Sequence, residues 1–217
     1  MTFSFFISYF SFFIIYCMKQ AVVTLLLPAI ALLAFTFSDP LPIGSGVPKA
    51  NNKLKDISGK EITLKDATKE NGLLVMFSCN TCPVVRNNQA RTKEICEFAM
   101  KESIGVVLLN SNEADRGSSE SLAAMQQYAK NQEYNWYYAE DRNNELADAF
   151  GATRTPECFL FDKNGKLVYH GAIDDSPSDA ASVKRRHLKE AINEVLAGKE
   201  VSVKQSRSVG CSIKRTT

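Results

Sequence analysis

Histidine is scarce in this sequence. There are two, His170 and His187, and neither stands at metal-ligand spacing from a cysteine. A structural zinc site needs four ligands. Cys96, Cys158 and Cys211 each stand alone, so nothing completes such a site around the close pair Cys79 and Cys82, and no metal is expected. Excess charge of either sign is also missing, with 26 basic residues facing 24 acidic ones. Without a basic stripe interleaved with aromatics, nucleic acid is excluded as a partner. Internal repeats are absent too, which excludes solenoids and arrays. What is left, at 217 residues and ordinary composition, is one domain of usual size with appendages.

Charge is nearly missing from residues 1–38, where Lys19 is the only charged side chain. Two apolar runs, Phe3 to Met18 and Ala21 to Phe37, flank it. The second, preceded by Met18-Lys19-Gln20, has the short basic start and apolar middle of a secretory signal, with Thr36-Phe37-Ser38 as a small-residue cleavage site. An initiator at Met18 would leave residues 1–17 as an upstream extension. The alternative is an uncleaved membrane anchor, for which the second run is slightly short. Both place the remainder in an oxidising compartment, periplasmic or otherwise exported, with membrane contact only through this segment. Losing the leader removes Cys17 and leaves five cysteines, an odd number that marks at least one unpaired or mobile thiol.

The stretch that carries chemistry is Leu73 to Val85. A short apolar run, Leu73 to Phe77, suits a buried strand. Cys79-Asn80-Thr81-Cys82-Pro83 follows at once, and helix-compatible composition continues from Asn87 to Met100. The cysteines therefore fall where a strand ends and a helix begins. Unpaired N–H groups and a partial positive charge at a helix start stabilise an anion, and the thiolate is the reactive form of cysteine. The i, i+3 spacing lets the pair alternate between dithiol and disulfide. Pro83 suits a first turn, where its missing N–H costs little.

Around this motif, residues 39–52 hold three prolines and two glycines and read as a linker. Leu54 to Ile57 and Glu61 to Leu64 form an expected hairpin across Ser58-Gly59-Lys60. Ile104 to Leu109 is a second buried strand. Ser118 to Gln132 is a predicted helix capped by Ser118 or Ser119, and Tyr134 to Ala139 a short aromatic strand with Trp136 in the core. Asn143 to Phe150 is a short helix closed by Gly151. Glu157 to Asp162 and Lys166 to Gly171 flank Asn164-Gly165, a strong hairpin signal. Val183 to Leu196 is the last helix, with Lys184, Arg185, Arg186, Lys189 and Glu190 on a solvated face. The domain is thus bounded at residues 53–200, with a polar tail over 201–217. Alternating strands and helices closed by a hairpin and a helix give an α/β sandwich around a mixed sheet. Cys96 lies fourteen residues past Cys82, about 21 Å along one helix at ~1.5 Å per residue, out of bridging range. Cys158, among Phe159, Leu160 and Phe161, reads as core packing.

Four stretches carry a family resemblance: FSCNTCPVV (77–85), LLNSNEAD (108–115), TPECFLFDKNGKLVYHGAIDD (155–175) and VGCSIKR (209–215). On these the sequence resembles thioredoxin-fold proteins, and more narrowly the peroxiredoxin-like redoxins of the alkyl hydroperoxide reductase/thiol-specific antioxidant group. The resemblance implies a thioredoxin-like three-layer sandwich with no cofactor. It implies Cys79 as attacking thiol and Cys82 as resolving thiol. It also implies a cis Pro156, with the Thr155 backbone facing the disulfide and pairing with a bound substrate peptide. The sequence departs from the pattern at Asn80-Thr81, where thioredoxin has Gly-Pro, and at Met76, where a true peroxiredoxin keeps a Thr three residues before its reactive cysteine.

The leading expectation is an exported thiol–disulfide oxidoreductase acting on protein or small-molecule thiols and disulfides, together with a redox partner protein. The alternatives are a thiol peroxidase with antioxidant activity, and a copper chaperone binding through both thiolates and His170. Cys211 is expected to be a third redox thiol or a clamp for the tail. Gly210-Cys211-Ser212-Ile213 is an apolar island in a polar tail, and exposed apolar residues signal docking.

Overall fold

The computed structural model describes residues 39–216, so the expected leader and Cys17 lie outside the described residues. The strand β3 (Leu73–Ser78) is central, and alternation along it explains the layers. Leu74 and Met76 point to one face, Leu73, Val75 and Phe77 to the other, and all five are fully buried. Burial of such side chains stabilises by roughly 1.5–3 kcal/mol each. Parallel neighbours extend the sheet on one side through β4 (Gly105–Asn110) to β5 (Tyr137–Glu140). Beyond β5 lies the antiparallel hairpin of β1 (Leu54–Asp56) and β2 (Glu61–Ile62). On the other side β3 pairs antiparallel with β7 (Glu157–Phe161), which pairs with β8 (Leu167–Gly171). The mixed sheet has seven strands in the order β2-β1-β5-β4-β3-β7-β8.

Helices cover both faces. The α1 helix (Leu64–Ala67) and α5 (Glu145–Phe150) pack with Phe77, Phe159 and Phe161. The α3 (Gln89–Lys101), α4 (Leu122–Asn131) and α6 (His187–Leu196) helices pack on the opposite face with Met76, Leu108 and Leu160. This is the expected three-layer sandwich. Trp136, Cys96 and Cys158 are buried as expected, and Gly151 closes α5 with a positive φ of 64°.

Several boundaries differ from expectation, each because a side chain competes for the backbone. The last helix begins at His187, not Val183, because the Asp175 carboxylate accepts the amides of Lys184 and Arg185 at 3.0 and 3.1 Å and holds them extended. Arg186 and Lys189 reach Glu94 on α3 instead of only facing solvent. The predicted helix over 118–132 begins at Leu122 and is capped by Ser121, whose hydroxyl accepts from the Ala124 amide at 3.3 Å. Residues 118–120 turn back instead, with the amides of Ser118 and Glu120 on the Asp115 carbonyl.

Residues 39–52 are not a free linker. Leu41 donates to Phe150, Gly44 to Leu167, and Leu167 back to Ser45, while Leu41, Ile43 and Val47 cover the α5 face of the sheet. The tail docks as well. Val201 is buried, His170 donates to the Lys204 carbonyl, and Ser206 donates to the His170 carbonyl, which extends the β8 edge. Among the described residues no helix is long and apolar enough to cross a membrane.

Candidate active site

The motif sits where the strand-to-helix reading puts it. β3 ends at Ser78, residues 79–82 form the loop, and α2 (Pro83–Asn87) starts on Pro83 with Cys82 as its N-cap. A kink at Asn88 separates α2 from α3, and the Asn88 side chain donates to the carbonyls of Val84 and Pro177 there.

The loop is held from below by Glu120, a wholly buried carboxylate. One oxygen accepts the Asn80 amide at 2.9 Å, the other the Thr81 amide at 3.2 Å and the Thr81 hydroxyl at 2.7 Å. Asn110 donates to the same carboxylate at 2.6 Å and to the Tyr138 hydroxyl, which in turn donates to Asn80 Oδ1. Arg86 Nε donates to the Asn80 carbonyl at 3.0 Å. Asn80 and Thr81, read only as a departure from Gly-Pro, thus each anchor the loop through their own polar groups.

All five expected site residues meet here. The Thr155–Pro156 bond is cis. The Thr155 hydroxyl lies 3.2 Å from Cys79 Sγ, and its carbonyl lies 3.4 Å from Cys82 Sγ. The edge where a substrate peptide was expected pairs instead with the protein's own tail. β6 (Arg154–Thr155) and β9 (Cys211–Ser212) form an antiparallel ribbon with Cys211 opposite Thr155. Cys211 Sγ stands 2.7 Å from Cys82 Sγ. Cys79 and Cys82 are buried, 1% and 3% exposed, whereas Cys211 is half-buried.

The electrostatics of the pair are asymmetric. The Cys79 thiol is pushed up, first by its hydrogen bond to Cys82, then by burial and the nearby Glu120 carboxylate. Cys82 is held well below the ordinary thiol range by that same bond from Cys79, helped by Cys211 and the Val85 amide and opposed by burial. The two shifts run opposite to what an attacking Cys79 would suggest. Burial pushes Cys96 and Cys158 up, and both pack in the core on the α3 face, apart from the paired sulfurs.

His170, the third group of the copper reading, lies on β8. It is buried, its Nε2 lies 2.7 Å from Glu157 Oε1, and its ring stacks on Phe159 at 4.4 Å between centroids. Glu157 also accepts the amides of Thr153 and Arg154, so the pair braces the segment leading to Thr155. His170 is thereby committed away from the thiols, and among the described residues no group of three His, Cys, Asp or Glu is placed to hold a metal ion. Met76, standing where a peroxidase pattern needs a Thr, is buried in the sheet. A groove of about 780 Å³ between the β1–β2 hairpin and α4, lined by Trp136 and Tyr134, contains none of the site residues.

Four similarities bear on this arrangement. The Redoxin family model matches residues 42–185. The "Thiol-disulfide oxidoreductase ResA" of Bacillus thuringiensis subsp. konkukian is 25% identical over 134 residues, covering 62% of this chain and 72% of that protein. A hypothetical protein from Sinorhizobium meliloti 1021 is 32% identical, with a TM-score of 0.75 over 83% of this chain and 98% of its own. An uncharacterized conserved protein from Geobacillus kaustophilus is 31% identical, with a TM-score of 0.76 over 82% and 95%.

Proposed function

The chain belongs to the Redoxin family, and from that premise we propose that it is a thiol–disulfide oxidoreductase working outside the cytoplasm, cycling Cys79 and Cys82 between dithiol and disulfide on protein or small-molecule substrates. One observation carries the reading. Both sulfurs converge on Thr155, one at its hydroxyl and one at its carbonyl, beside Pro156. Two thiols three residues apart and gathered on one anchor can close and reopen as a disulfide while strand and helix stay in place.

The cycle begins with the proton. Cys79, the attacking thiol by resemblance, passes its proton to the Cys82 thiolate, the sulfur held low beside it. The Cys79 thiolate then attacks a substrate disulfide, forming a mixed disulfide and expelling the other substrate sulfur as a thiolate. That thiolate takes the proton from Cys82. Cys82 attacks the Cys79 sulfur, which closes the internal disulfide and releases the second substrate thiolate. Two electrons have passed to the substrate, and a partner dithiol protein returns them.

The full-length protein is expected to reduce insulin disulfides with dithiothreitol as electron donor, followed by turbidity. Cys79→Ser and Cys82→Ser should each abolish turnover. A Cys79→Ser/Cys82→Ser double variant that worked at the parental rate would overturn the reading.

A further inference from the structure

The thiol pair is covered by its own chain. β9 occupies the Thr155 edge, Cys211 packs with Cys79, Cys82 and Val85, and the half-buried Cys211 is the outermost of the three sulfurs. The tail is seated there by independent contacts. Ile213 is buried in the α5 core and its amide donates to Thr153. The Lys214 amide donates to Asn112 Oδ1 at 3.0 Å, its ammonium pairs with Asp115 at 2.7 Å, and Arg215 pairs with Asp148. Gly210 permits the approach, because a Cβ at that position would stand 1.9 Å from the Thr155 carbonyl oxygen. Cys211 therefore lies where a cysteine of a bound substrate strand would lie.

We propose that Cys211 is a third redox thiol, which exchanges into the Cys79–Cys82 disulfide to form a Cys82–Cys211 disulfide and presents it to an external dithiol reductant. The inference rests on the redox reading of Cys79 and Cys82. In the exchange Cys211 loses its proton and attacks the Cys82 sulfur. The Cys82–Cys211 bond forms, the Cys79–Cys82 bond breaks, and Cys79 leaves as a thiolate that takes up a proton. No electrons are gained or lost. The external thiolate next attacks the half-buried Cys211 sulfur, the outermost of the three, and expels Cys82 as a thiolate. Its second thiol then attacks that mixed disulfide and frees Cys211, so the partner ends oxidised and the chain reduced. One observation supports each step. The sulfurs of Cys82 and Cys211 are 2.7 Å apart, against ~2.05 Å for a bond. In the second step the external thiolate expels Cys82, the thiol held lowest, and a low-pKa thiolate is the better leaving group.

The test is disulfide mapping of the full-length protein. It is oxidised in a glutathione buffer, quenched in acid, alkylated, digested and sequenced by mass spectrometry without reduction. The expected result is a crosslink between the peptides holding Cys82 and Cys211, with Cys79 alkylated. That crosslink should be lost in Cys211→Ser and strongly reduced in Gly210→Ala, in favour of Cys79–Cys82. A Cys79–Cys82 disulfide with Cys211 always alkylated would overturn this inference and leave the oxidoreductase reading standing. Failure of any disulfide to form would overturn both.

Discussion

Glu120 brings a negative charge beneath the thiols. Its four donors are neutral: the amides of Asn80 and Thr81, the Thr81 hydroxyl and the Asn110 side chain. Hydrogen bonds to a charged group contribute about 1.5–3 kcal/mol each, enough to hold a short loop in one geometry. The same charge disfavours a thiolate at Cys79 and is among the causes that push that thiol up. Removing a negative charge stabilises a neighbouring thiolate, so Glu120→Gln is expected to lower the Cys79 pKa. The measurement is the pH dependence of Cys79 alkylation, read by mass spectrometry in a Cys82→Ser background so that one thiol of the pair titrates. A midpoint that stayed put or rose would refute the electrostatic role. Nothing in the sequence marks this residue. Glu120 lies in a polar stretch, Ser118-Ser119-Glu120-Ser121, forty positions from Asn80, and looks like any solvated acid.

At the scale of the element, the tail illustrates how few residues dock a strand. β9 is two residues long, and its hold comes from what flanks it: Gly210 before, Ile213 and Lys214 after. Replacing a buried isoleucine by alanine costs ~2–5 kcal/mol where the cavity stays open. Ile213→Ala should therefore lower stability by about 2 kcal/mol or more and loosen the cover over the pair. Urea unfolding reads the first effect, and a faster alkylation of Cys82 under native conditions reads the second. Unchanged stability and unchanged Cys82 reactivity would show that the tail contributes neither packing nor cover. The apolar island around Cys211 was legible in the sequence. The strand partner was not, because a two-residue ribbon has no periodicity of its own and its register is set by Thr155, far upstream in the chain.

For the whole molecule, one sheet with helices on both faces follows from alternation along β3, and the site follows from the sheet. Cys79 and Thr155 come from opposite sides of a β3–β7 pairing and meet at one end of it. The proline- and glycine-rich segment over residues 39–52 became part of this body because Leu41, Ile43 and Val47 find uncovered core and the β8 edge offers partners for Gly44 and Ser45. The reading of residues 1–38 as a leader belongs at this scale too, since it decides the redox surroundings of every thiol. N-terminal sequencing of protein recovered from its host is expected to begin at or near Asp39. Recovery from the cytoplasm with a start at Met1 would overturn export.

The sequence by itself determined the order of the elements and the candidate thiols. An apolar run into Cys79-x-x-Cys82-Pro83 specifies a strand, a loop and a helix start through local physics alone, and Asn164-Gly165 specifies its hairpin in the same way. Thr155, Pro156 and Cys211 could be named because they stand in recognisable motifs. The tertiary structure alone decided which groups face one another across long sequence distances. It set Glu120 under the loop, Glu157 against His170, and Cys211 on Cys82 at the edge expected for a substrate. It also decided where helices start, as Asp175 and Asp115 took backbone partners from the segments before α6 and α4. Local propensity is additive along the chain, whereas a buried polar group takes whatever partner the folded chain brings to it, and that choice is not written at either position alone.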